Sequence, residues 1–187
     1  EHAAPEGSGA MSAVLGMDAE VIEDVLNGRE GVSIANYNCP GQIVITGEAA
    51  AVAEAGTALK EAGTRRVLPL KVSGPFHSPM MRPAGEELAK VFAGVSMNPL
   101  KIPYVANINA EVITDCGRIE GLLVDQVSGS VRWQQSVETM IREGVDTFVE
   151  IGPGKTLTGF LRKIDKNVKA YHIGSWEEAV QVCEELK

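Results

Sequence analysis

Cysteine is scarce in this chain. Three residues, Cys39, Cys116 and Cys183, form no C-x-x-C pair. An odd, unspaced set argues for free thiols and a reducing, cytoplasmic compartment. Histidine is as rare, at positions 2, 77 and 172. The three show no ligand spacing to one another or to cysteine, so no metal site is expected. No apolar run approaches the roughly 20 residues of a membrane span, and no signal peptide is visible. Neither a membrane nor a bound cofactor is expected. Positive charge is in deficit: 17 Lys and Arg face 25 Asp and Glu, a net of −8. That argues against nucleic-acid binding. The deficit is local, because residues 1–30 hold seven acids against Arg29 alone. The strained G-x-S-x-G elbow that exposes a nucleophilic serine does not occur. Gly154-Lys155-Thr156 looks like the end of a phosphate loop, but Val149 stands where that motif needs glycine. An NTPase is therefore excluded.

What the chain does hold is alternating strand and helix patterns. Residues 9–16 read as a short apolar strand. Asp18 then sits as an N-cap before a helical face of Val21, Ile22, Val25 and Leu26, stopped by Gly28. Two strands, 32–38 and 42–47, flank the turn Cys39-Pro40-Gly41. A helix stripe of Val52, Ala55, Leu59 and Ala62 follows, and then a strand over 65–72 with Leu68, Leu70 and Val72 on one half-buried face. The order β-α-β-β-α-β in about 60 residues is the ferredoxin-like arrangement. Beyond residue 77 strands and helices alternate in the manner of a parallel α/β layer, with 145–152 as its buried strand. The fold class expected is α/β. Residues 1–8 read as a linker or remnant of a larger domain, 9–72 as a ferredoxin-like small domain, and 73–187 as part of a second α/β domain. Two or three parallel strands make an incomplete sheet, so further strands are expected before residue 1.

Four places could carry chemistry. His77 lies on a loop stiffened by Pro75 and Pro79 just past a strand end. As a base it needs a nucleophile and an acceptor for its other ring nitrogen. Ser73 and Ser78 are too close in sequence to be presumed partners, Cys39 reads as a turn residue, and no other nucleophile stands out. The glycines of 152–154, between strand and helix, leave amides free for an anion or simply make a tight turn. Asn36 and Asn38 share a face of an extended strand, where they either orient a substrate or satisfy a hairpin. Arg162, Lys163, Lys166 and Lys169 form a basic helix face, with Arg65-Arg66 a smaller cluster. Either is a solvated surface or a meeting place for an acidic partner.

Taken in series, "ANYNCPGQIVITG", "LPLKVSGPFHSPMM", "VRWQQSVETM" and "FVEIGPGKTLTGFLRK" resemble the malonyl-CoA:acyl-carrier-protein transacylase family. The resemblance runs from about residue 5 to residue 164. It implies an α/β-hydrolase-like large domain with a ferredoxin-like insertion. It implies a ping-pong malonyl transfer from malonyl-CoA to the phosphopantetheine thiol of an acyl carrier protein, with His77 as the base. The main-chain carbonyl of Gln126 would hold His77. Phe76 would select malonyl over bulkier acyl groups by crowding an α-methyl. Asn36 and Asn38 would lie near the site, and Arg65, Arg66, Arg162 and Lys163 would meet the acidic carrier. The family's nucleophilic serine, its oxyanion glutamine and its malonyl-binding arginine all belong to a preceding portion. The expectation is thus a C-terminal portion of a transacylase, inactive until joined by its N-terminal portion. The competing expectation is a non-catalytic module that binds CoA or a carrier protein.

Overall fold

A computed structural model describes residues 5, 7–72 and 74–186. Most of the segment 1–8 expected as a linker, with His2, lies outside the described residues, as does Ser73. The fold is a mixed α/β one. In chain order its first elements are β1 (Gly9–Leu15), α1 (Ala19–Leu26), β2 (Val32–Cys39), β3 (Gln42–Glu48), α2 (Ala49–Glu61) and β4 (Arg66–Pro69). The four strands form one antiparallel sheet in the order β2-β3-β1-β4.

The period-2 patterns of β1 and β3 give this sheet two apolar faces. Val14, Ile43 and Ile45 face α1 and α2, where Ile22, Leu26, Val52, Ala55 and Leu59 complete the larger core. Met11, Ala13, Ala35 and Val44 form a smaller cluster apart from it. Asp18 stands at the N-cap of α1, but its side chain makes no capping bond. The last strand differs from expectation. It ends at Pro69, and its inward residue is Val67, packed on the larger core. Leu68, Leu70 and Val72 are exposed instead. The Leu70 N–H still bonds the Met11 carbonyl (2.9 Å), and among the described residues β4 is an edge strand.

The second half contains α3 (Arg82–Phe92), the short pair β5 (Tyr104–Val105) and β6 (Val112–Ile113), α4 (Ile119–Ser128), α5 (Trp133–Arg142), β7 (Thr147–Ile151), α6 (Thr156–Ile164), β8 (Lys169–Ile173) and α7 (Trp176–Glu185). β7 and β8 pair in parallel. The apolar run ending in β7 predicts a buried strand, yet Ile151 is 78% exposed. Val149, 36% exposed, shares its face of the strand, whereas Phe148 and Glu150 on the other face are half-buried, so among the described residues one face of β7 is uncovered. Ile102 and Trp176 are exposed to 77% and 78%, so the open apolar surface is not confined to one strand.

The two halves are stitched along β2. The Val131 N–H donates to the Ala35 carbonyl (2.7 Å), and the Tyr37 N–H donates to the Val131 carbonyl (2.9 Å). Ser130 Oγ donates to the Ile34 carbonyl at 2.6 Å. Tyr37 adds a hydroxyl bond to Glu23 Oε1 (2.7 Å) and lies under the Arg132 guanidinium, 5.6 Å from its ring centre. Burial, with the Glu23 carboxylate beside it, pushes this phenol up to about 12. Tyr37 therefore serves as a seam and not as an acid or base near neutrality.

Candidate active site

The loop after β4 carries His77 into a short 3-10 turn, Pro79–Met81, which runs directly into α3. α3 packs on α4. The approach is close because residue 85 is glycine; a Cβ there would lie 3.2 Å from the Val124 carbonyl oxygen. This packing brings His77 beside the end of α4. Nδ1–H of His77 donates to the Gln126 main-chain carbonyl at 3.0 Å. A carbonyl only accepts, so the proton of the neutral ring sits on Nδ1 and Nε2 keeps a lone pair.

Gln126 is two residues from the end of its helix, and the last four carbonyls of a helix lack intrahelical partners. The bond from His77 satisfies one of them. That carbonyl also belongs to the negative end of the α4 dipole, which faces the charge the ring acquires on taking a proton. His77 itself has φ +58°, a left-handed conformation uncommon for a residue with a Cβ.

Neighbouring side chains are disposed as follows. Phe76 is 41% exposed beside His77. Ser78 is fully buried, and its Oγ donates to the Pro75 carbonyl (2.7 Å) while accepting the Met80 N–H (3.3 Å). With its hydroxyl so committed, Ser78 is no nucleophile for His77. Cys39 is no better placed for that task. It closes β2, with the turn beginning after it, and burial pushes its thiol up although Lys163 pulls the other way. Asn36 and Asn38 lie on β2, both half-buried. Asn36 bridges to Val131, five residues beyond Gln126.

Of the basic residues, Arg65, Arg66 and Lys163 line one groove with Leu15, Gly16, Gly41 and Gln42. Lys163 Nζ donates to Gln42 Oε1 at 3.3 Å. Arg162 lies apart, beside Asp165 and Lys166. The groove and the His77 loop sit at opposite ends of β1. Gly16 is at one end, and at the other Gly9 packs under Pro75.

The glycine turn before α6 holds its own anion. Glu150 accepts the N–H groups of Leu157 (3.1 Å) and Thr158 (2.7 Å) and the Thr158 hydroxyl (2.6 Å). In the turn expected to offer free amides, the Gly152 N–H donates to the Ile173 carbonyl (2.9 Å) and Pro153 has no N–H. The first amides of α6 are thus filled by a carboxylate of the preceding strand. Nothing in the local sequence marks it, because Glu150 reaches them from seven and eight residues away. Desolvation alone would raise the Glu150 carboxyl, but the Thr158 and Leu157 donors and nearby His172 hold it below the usual range. Its folded value lies under its unfolded one. The stabilisation is present above the ordinary carboxylate range and is lost as pH falls through the depressed value. In thermal melts, Glu150→Gln is expected to lower Tm near neutrality and to flatten the pH dependence between about pH 5 and 3.

Comparison with known proteins places the chain in a family. The acyl transferase domain model matches residues 2–182. The chain belongs to that family. It is 42% identical over 190 residues to the malonyl CoA-acyl carrier protein transacylase of Bacillus subtilis (strain 168), a match covering all of this chain and 60% of that protein. The acyl-carrier-protein S-malonyltransferase of Bartonella henselae superposes with a TM-score of 0.94 at 39% identity, over 99% of this chain and 60% of that one. A malonyl-transacylase solved in complex with a type II polyketide acyl-carrier protein gives 0.91 at 38% identity, over 98% and 60%. The resemblance to the malonyl-CoA:acyl-carrier-protein transacylases, first seen in four motifs, therefore holds along the chain. The chain spans about 60% of the length of these relatives.

Proposed function

We propose that this chain is the C-terminal portion of a malonyl-CoA:acyl-carrier-protein transacylase and that His77 is its general base. The observation that carries the reading is the Nδ1–H bond to the Gln126 carbonyl, which leaves Nε2 as the proton acceptor. A serine supplied by an N-terminal portion would lose its proton to Nε2 and attack the thioester carbonyl of malonyl-CoA. The tetrahedral intermediate collapses to an acyl-serine and expels the CoA thiolate, which takes the proton back from His77. The carrier's phosphopantetheine thiol then repeats the sequence in reverse. A thioester needs less activation than an amide, so a carbonyl suffices as orienter. Phe76 would form the wall that crowds an α-methyl, a discrimination of about 1–3 kcal/mol. Asn36 and Asn38 would orient the acyl group from β2.

The sheet order β2-β3-β1-β4 supports a ferredoxin-like small domain over 9–72. The parallel pair β7–β8, open at one edge, supports a hydrolase-like remainder that the N-terminal portion completes. The exposed Ile102 and Ile151 would lie under that portion. The test is to incubate the chain with malonyl-CoA, alone and with a separately made N-terminal portion, and read covalent malonyl by intact mass. Label on the N-terminal partner only is the expected result. Label on this chain alone would give it a nucleophile of its own and end the reading. No label in an assembled mixture would favour the non-catalytic CoA- or carrier-binding module.

The groove of Arg65, Arg66 and Lys163 is the proposed dock for the acidic carrier. β1 separates it from the His77 loop by about 20 Å, a span suited to an extended phosphopantetheine arm. Arg162, outside the groove, would contribute at its margin. Arg66→Glu with Lys163→Glu is expected to raise KM for the carrier protein about tenfold or more, with strong salt dependence, and to leave labelling by malonyl-CoA unchanged. An equal loss in both half-reactions would locate the damage at the active site instead.

A further inference from the structure

We propose that Gly9 and Ser78 are positioning residues for His77. Together they clamp the turn that holds its ring against Gln126. The proposal rests on the reading of His77 as a base. The backbone of His77 is left-handed at φ +58°, a conformation that persists in a non-glycine residue only where its surroundings over-determine it. Two contacts do so, one on each side of the turn.

The first is steric. Pro75, fully buried, rests on Gly9. A Cβ on residue 9 would lie 2.5 Å from Pro75 Cδ and Cγ and 2.6 Å from its Cβ. Gly9 cannot give way easily, because it is the first residue of β1 and is in register with Glu48 of β3. The antiparallel sheet is thus the floor of the histidine loop.

The second is a hydrogen bond. Ser78 Oγ donates to the Pro75 carbonyl at 2.7 Å and so closes the turn across His77. The same oxygen accepts the Met80 N–H at 3.3 Å and fastens the turn to the start of the following 3-10 turn. Ser78 is fully buried, so water does not readily replace either bond. With both contacts in place, Nδ1 meets the Gln126 carbonyl. With either removed, His77 relaxes toward negative φ and the ring leaves it.

The readout is the tautomer of the neutral ring, which is set by the hydrogen bonds its nitrogens make. The 15N-labelled 187-residue chain is studied by NMR at about pH 8, where an unperturbed imidazole is neutral. The wild-type ring is expected to carry its proton on Nδ1. Ser78→Ala and Gly9→Ala are each expected to shift the tautomer ratio about fivefold or more toward Nε2–H, the consequence of losing one ordinary hydrogen bond. Ser78→Thr, which keeps the hydroxyl, should retain the wild-type tautomer. A merely structural role would lower the unfolding midpoint and leave the tautomer alone. If either alanine variant folds with the wild-type tautomer, the clamp is refuted; having two variants covers a failure of one to fold. The measurement uses no malonyl-CoA, so its failure is distinct from a failure of His77 as base.

Discussion

His77→Ala in the assembled two-part enzyme is expected to lower malonyl transfer at least about a thousandfold. The size follows from the role. Near neutrality a serine hydroxyl is a poor nucleophile unless a base removes its proton as it attacks. Ser78, next to His77, cannot stand in, because its hydroxyl is committed to the Pro75 carbonyl. The loss should fall on kcat for both half-reactions, because in the proposed mechanism the same ring serves both. Gln126→Ala is the informative companion. Its bond to His77 uses the main-chain carbonyl, so truncating the side chain should leave most of the activity in place. Steady-state rates for the two variants decide the matter. Comparable losses would mean that the Gln126 side chain matters and that the carbonyl is not the orienter. A His77→Ala enzyme within tenfold of wild type would remove His77 from the chemistry.

Gly47→Ala is expected to cost about 3 kcal/mol or more, moving the urea midpoint down by roughly 1–2 M. Gly47 lies inside β3 with φ +146°, paired on one side with Val32 and on the other with Ala10. An added Cβ would overlap the Gly31 carbonyl and come within 2.9 Å of the Val32 Cα. All of these are backbone atoms, held by the neighbouring strand, and the larger core lies on the same sheet. Gly63→Ala separates strain from collision. It also has a positive φ, +96°, but nothing lies within 4 Å of its would-be Cβ. It should cost only about 1–2 kcal/mol. Equal midpoints for the two variants would show that backbone strain accounts for the whole effect and that the close packing over Gly47 is immaterial.

Much of the first half was legible because its signals are local. The helical stripe of Val21, Ile22, Val25 and Leu26, Gly28 after it, the Pro40-Gly41 turn and the short apolar runs of β1 and β3 each act within a few residues. Family membership was legible too, since four motifs in fixed order are carried by the chain itself. The second half was less so. Residues 145–152 read as a buried strand, and apolar content states only what a strand can bury. Whether β7 is covered depends on what packs on its two faces, and the face carrying Val149 and Ile151 is open among the described residues. The turn at 152–154 read as an open anion site because the amides are visible in the sequence. In the fold the Gly152 N–H is taken by the Ile173 carbonyl, and the first amides of α6 are taken by the Glu150 carboxylate that the strand-to-helix reversal brings to them.

By itself the sequence determined which residues have the chemistry: a histidine on a proline-stiffened loop, arginines and lysines in two clusters, and glycines where side chains do not fit. Tertiary structure alone decided what each one meets. The packing of α3 on α4 puts a helix-end carbonyl against His77, 49 residues away in the chain. The path of β1 places Gly9 under Pro75 and separates the basic groove from the histidine. The physical reason is range. Propensities, caps and turns act over a handful of residues, whereas the His77–Gln126 hydrogen bond needs two distant segments fixed to within a fraction of an ångström, and only the packed fold supplies that.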